Sequence, residues 1–195
     1  MNDWGVLALA YHLTSRLAYV LWVGWALRRE MRTSHYASAY EGFRRFRRVA
    51  SALMNNDGVS FVVLCVLTRG TLPVAAPWWL LAAVGAALAG LGIGVKLWAR
   101  AAVGSDGYYW GDFFGSRATS SEPAAGPYRY LKDPMYTVGN LQLWGLALGA
   151  ASLPGLGAAL FDHAAILVFN RVAEQPHVQR RYRPATGRGG RPCSR

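Results

Sequence analysis

The stretch "PWWLLAAVGAALAGLGIGVKLWA", Pro77 to Ala99, carries a single charged residue, Lys96. About 20 consecutive apolar residues are enough to cross a bilayer as a helix. The stretch therefore reads as a transmembrane span, and the rest of the chain is read around it. Of the 195 residues, 53% are hydrophobic and only 16% charged, where a soluble domain carries about 25% charged residues. Trp4 to Leu27 is long enough for a second span, although His12 and Arg16 interrupt it. Two shorter runs, Tyr136 to Ala151 and Pro154 to Val172, are separated only by "SLPG" and predict a helical hairpin. Val59 to Thr68 is too short alone, but it crosses if its helix starts near Val49 and takes in Asn55, Asn56 and Asp57. The expected fold class is all-α: an integral membrane helical bundle of about five transmembrane helices with a C-terminal hairpin. Residues 1–182 form a single membrane-embedded domain in this reading. The tail "RPATGRGGRPCSR" (183–195) has the composition of a disordered basic segment.

The net charge of +11 suits nucleic acid or an anionic membrane surface. The apolar runs decide for the membrane, and no nucleic-acid partner is expected. The segment Arg28 to Arg48 carries seven Arg against two Glu, whereas only Arg69 lies between the second and third spans. Lys96 at the end of the third span and Arg100, Arg117, Arg129 and Lys132 after it make the next basic group, "SLPG" has no cation, and seven Arg lie beyond Asn170. Basic residues stay on the cytoplasmic side, so five spans with the N-terminus outside and the C-terminus inside satisfy every loop. The stretch "RRFRRVA" also suits a helix resting on anionic head groups. Cys65 and Cys193 fit no metal spacing, and neither a disulfide nor a metal site is expected. The N-terminus lacks a basic leader and a small-residue cleavage site, so no signal peptide is expected.

Several polar groups need a reason to be here. Asp162, Ile166, Asn170 and Glu174 recur every four residues and share one helical face. Charge inside a bilayer is costly and is normally paired. Asp162 accordingly predicts an internal ion pair, with Arg16 or His12 as partner. Gly92 and Gly94 in "LGIGVK" allow close approach of another backbone or of a ligand, and helix packing is the more ordinary of the two. "YYWGDFFG" (Tyr108 to Gly115) reads first as an aromatic interface anchor and second as a binding loop. In "YRYLKDPMY" (Tyr128 to Tyr136), Asp133 precedes Pro134. Proline disfavours helix at the residue before it and favours the first helical position. Asp133 is then expected to be the N-cap of the fourth span. A helix N-terminus at that point also attracts anions.

Taken in order, "LGIGVK", "WGDFFG", "YLKDPMYTVGN", a hairpin and "AEQPHVQRRY" resemble the phospholipid methyltransferases. The isoprenylcysteine carboxyl methyltransferases are similar more distantly. The resemblance covers roughly Gly90 to Tyr182. It implies S-adenosylmethionine as methyl donor and a phosphatidylethanolamine-type membrane lipid as acceptor. The site would face the cytoplasm in a bacterial inner membrane or an endoplasmic reticulum-type membrane. Gly92 and Gly94 match the family's GxG motif, and Glu174 matches the first residue of its Glu-Glu pair, with Gln175 in place of the second. On this resemblance the cofactor-binding residues are Gly92, Gly94, Tyr130, Pro134, Met135, Tyr136, Glu174 and Gln175. Asp133, Glu174 and His177 are candidates to accept the amine's proton. Arg129, Lys132, Arg180 and Arg181 would face the lipid phosphate, and Asp112 completes the substrate set. Two other readings stay open: methylation of another membrane-bound acceptor such as a carboxylate, and an inactive membrane scaffold.

Overall fold

The structure, a computed structural model, describes residues 2–34, 41–114 and 126–176. Among them there are helices and turns and no strand. Helix α1 (Asp3–Thr33) opens on Asn2, whose side chain accepts from the Gly5 N–H at 3.0 Å. Helices α2 (Gly42–Leu67), α3 (Trp78–Tyr108), α4 (Leu141–Gly149) and α5 (Leu153–Phe169) follow. Beyond α5 the chain continues as a wider π-helical turn, Asn170–Glu174. Helices α1 and α2, α3 with the turn to Phe114, and α5 with its π turn are each long and apolar enough to cross a membrane. Large apolar side chains such as Trp78, Trp79, Leu21 and Leu160 cover the outside, as a lipid-facing surface requires. The protein is an all-α membrane bundle.

Two groups of contacts define its ends. At one end the α2–α3 connection bonds the α4–α5 turn, with Gly70 N on Ala150 O at 3.0 Å and Leu72 N on Ala151 O at 2.9 Å. Thr68 and Ser152 meet there through their hydroxyls at 2.6 Å. At the other end Arg47 pairs with Asp106 at 2.9 Å, and the rings of Phe43 and Phe46 pack on Phe114. The chain thus alternates between the two ends, and α2 passes Asn55, Asn56 and Asp57 through the bundle as one continuous helix.

The fourth predicted span departs from the sequence expectation, since its helix is too short to count among those able to cross a membrane. Asp133 does not cap a helix. Its carbonyl accepts from Tyr136 N and Thr137 N, which makes one isolated turn, and α4 starts only at Leu141. Two β-branched residues and a glycine follow the turn, in Thr137, Val138 and Gly139, and Thr137 sits at φ −95°, ψ −89°; such residues hold a helix weakly. The nine-residue α4 is joined to α5 as the expected hairpin, and the Ser152 hydroxyl accepts from Gly155 N at 2.8 Å to start α5.

Helix α4 lies on α3 along a seam of small residues. A methyl on Gly92 would stand 2.4 Å from Gln142 N, and one on Gly145 would stand 2.3 Å from Ala89 N. The two backbones therefore touch, as small residues permit in membranes. Near its end α3 bends at Gly104, whose φ 74°, ψ 172° is open essentially to glycine alone. The bend directs Trp110 inward against Phe46 and Phe169. The core holds two apolar clusters, one around Tyr19, Val23, Phe46 and Phe169 and one around Phe61, Leu64, Leu143 and Ala159, and a buried polar cluster accompanies them. Arg16 reaches Asp162 at 2.7 Å and Asp57 at 2.8 Å, and His12 bridges Asp162 at 3.2 Å and Ser60 at 2.8 Å. Asp162 therefore pairs with both of the partners its position suggests. Cys65 is a buried free thiol, and Cys193 lies outside the described residues.

Candidate functional site

A cavity of about 1540 Å³ runs between α1, α2, α3, the Pro134 segment and the end of α5. Ligand pockets commonly hold roughly 300–1,000 Å³, so this one has room for two ligands side by side. One wall is built around Glu174. The π turn carries this residue round the helix axis, and π turns of this kind recur at functional sites. Its carboxylate Oε1 accepts from the Trp110 indole N–H and from the Tyr136 hydroxyl. Three distant segments thus meet at one oxygen: the turn after α3, the Pro134 segment and the end of α5. Asp112, Asp133, Tyr128, Arg129 and Lys132 line the same cavity, together with Pro134, Met135 and Gln175. Burial pushes the Tyr128 phenol above its usual range, and the carboxylates of Glu174, Asp133 and Asp112 push it the same way. It remains a neutral hydrogen-bond donor at physiological pH.

The other residues singled out in the sequence lie elsewhere. Gly92 sits in the α3–α4 seam, Gly94 has no atom within 4 Å of where its Cβ would stand, and neither lines the cavity. Tyr130 is 72% exposed, with the Arg129 guanidinium 5.9 Å from its ring centre. His177, Arg180 and Arg181 lie outside the described residues. The cavity also has members that the sequence reading did not assign to a site: Trp110, Tyr128, Tyr19, Arg16, Asp57, Lys96 and Asn140. Trp110 stands inside the "YYWGDFFG" motif, where its ring signals an interface as readily as a site. Lys96 follows the two glycines directly and reads equally well as an orientation charge.

The model of the phospholipid methyltransferase family matches residues 80–185, more than half of the chain. The chain belongs to that family. This match takes in α3, the Pro134 segment and the Glu174 wall. Among curated proteins, phosphatidylethanolamine N-methyltransferases are similar. That of Pyricularia oryzae is 32% identical over 147 residues, and that of Chaetomium globosum is 32% identical over 151. Each alignment covers 74% of this chain and 15% of the relative. The chain thus spans about 15% of the length of the curated relatives it matches. No solved structure matches.

Proposed function

We propose that this member of the phospholipid methyltransferase family moves methyl groups from S-adenosylmethionine to a head-group amine. The acceptor is phosphatidylethanolamine or its methylated intermediates, in the leaflet that faces the cytoplasm. The observation that carries the reading is the Glu174 wall: a carboxylate held by an indole and a phenol, opening on a cavity large enough for donor and acceptor together. Orientation rests on charge, because Arg44, Arg45, Arg47 and Arg48 cluster at the same end as that wall.

S-adenosylmethionine supplies an activated methyl whose carbon–sulfur bond breaks as the amine nitrogen bonds to it. The chain's own work is mostly positioning, which converts a two-body encounter into a local one. Glu174 would face the ammonium of the donor's methionine part, and Gln175 would hydrogen-bond beside it. An ammonium head group must shed a proton before it attacks. Asp133 lines the cavity without a capping duty and is the acceptor of that proton. Tyr128 and Tyr136 offer ring faces to the growing quaternary charge. Arg129 and Lys132 lie where the phosphate would leave the cavity for the membrane surface.

Calorimetric titration of S-adenosylmethionine into the detergent-solubilised chain tests the proposal. Tight binding in the wild type and a loss of about tenfold or more in Glu174→Ala are expected, the weight of one charge-assisted hydrogen bond. A folded wild type that binds no S-adenosylmethionine would sink the reading. An acceptor carboxylate needs no general base. Turnover that survives Asp133→Asn unchanged would therefore count against an amine acceptor.

A further inference from the structure

Lys96 projects into the cavity from the inner half of α3. Among the described residues no carboxylate lies within ion-pairing distance of it, unlike Arg16, which is held between two. The stem of Lys96 lies flat on Gly139. A methyl added there would stand 2.8 Å from its Cγ and 3.1 Å from its Cε. This contact brings the ammonium to the turn that carries Asn140. The Asn140 carboxamide also lines the cavity, yet it is only 5% exposed and its Nδ2 is buried with no hydrogen-bond partner. A buried amide N–H left unpaired costs free energy unless something accepts from it. Among the described residues no hydrogen bond holds the carboxamide, so a half-turn about its terminal torsion can present the NH₂ to a ligand.

We propose that Lys96 and Asn140 form an oxyanion subsite within the methyltransferase cavity, and that it takes the phosphodiester of the acceptor lipid. The inference rests on the methyl-transfer reading and adds a residue pair to it. A phosphodiester is a singly charged group with two equivalent oxygens. One ammonium and one amide N–H satisfy both, and the pair lies deeper than Arg129 and Lys132. The carboxylate of the methyl donor has the same charge and the same two-oxygen face, so the test must separate the two oxyanions.

The full chain in dodecyl maltoside is compared as wild type, Lys96→Met, Lys96→Arg and Asn140→Leu. Lipid occupancy is read by native mass spectrometry with dioleoylphosphatidylethanolamine and with dioleoylglycerol, which lacks the phosphate. S-adenosylmethionine affinity is read by calorimetry. Lys96→Met is expected to weaken phosphatidylethanolamine binding about tenfold and Asn140→Leu several-fold, as for a charged and a neutral hydrogen bond. Lys96→Arg retains most of the affinity, while dioleoylglycerol and S-adenosylmethionine are unaffected. A loss confined to S-adenosylmethionine would keep the oxyanion subsite and overturn its assignment to the lipid. Unchanged binding of both ligands by folded Lys96→Met would overturn the subsite altogether. Should Lys96→Met fail to fold, Asn140→Leu decides in its place, since it removes a group that no hydrogen bond holds among the described residues. The lipid arm needs no methyl donor. A wild type that binds phosphatidylethanolamine but not S-adenosylmethionine would therefore sink the methyltransferase reading while still deciding the subsite.

Discussion

At the scale of single residues, Glu174 ties the cavity wall together because two donors from remote parts of the chain converge on one of its oxygens. Tyr136→Phe deletes one donor and keeps the ring. With Glu174 half-buried, a loss of about 1 kcal/mol is expected, read as a fall in Tm. Tyr128 adds a pH dependence. Its folded-state pKa is raised by burial first and by the nearby carboxylates second. The neutral phenol is then favoured in the folded state, so the contribution is whole below the unfolded value of about 10 and is lost as pH rises above it. Tyr128→Phe should flatten part of the alkaline fall in Tm, and an unchanged slope would contradict the assignment. Glu174, Asp133 and Tyr136 draw attention in the sequence because acids and an aromatic at the ends of apolar runs need a reason to be there. Lys96 and Asn140 close two of the same motifs, yet one reads as a loop-orienting cation and the other as an ordinary polar residue near a helix start. Only their common cavity distinguishes them.

Helices are the next scale, and here the packing of α3 on α4 makes two neighbouring glycines unequal. Gly92→Ala would press a methyl to 2.4 Å from Gln142 N, whereas Gly94→Ala meets nothing within 4 Å. A loss of about 1–3 kcal/mol is expected for the first and little change for the second, measured as Tm in detergent. Equal effects would contradict the seam. In α5, Asp162→Ala would leave Arg16 paired with Asp57 only and would take from His12 its contact with the Asp162 carboxylate. Losing one hydrogen bond to a buried charge costs about 1.5–3 kcal/mol, so a fall in Tm in detergent is the expected outcome. Period and hydropathy make α1, α3, α5 and the Arg16–Asp162 pairing readable from sequence. They do not reveal that the fourth run is half turn. The Asp133–Pro134 pair carries a helix-start signal, but the residues after it favour turns, and the helix forms only from Leu141, where the run is apolar but for Gln142.

Over the whole molecule, contacts rather than charge counts define two ends, and they agree with the alternation of basic loops. Single cysteines at Thr71 and at Arg45, in a chain lacking Cys65 and Cys193, should label from opposite sides of sealed vesicles. Labelling from one side would contradict the five-pass arrangement. That the chain is an all-α membrane bundle is legible in the sequence, because its apolar runs are long enough for helices that cross a membrane. The cavity is not, since it lies between five segments that no local pattern connects.

The brevity of α4 has a consequence for how the chain is made. Nine helical residues fall well short of the roughly 20 that partition into a bilayer alone. The Pro134 segment cannot make up the difference, because its irregular backbone needs water or protein around it. During synthesis this passage has no stable place in the lipid until α5 emerges. The two then enter as one hooked unit, bent at Ser152. A nascent chain stopped after Ala151 should leave α4 on the side of synthesis, and adding α5 should draw both across together.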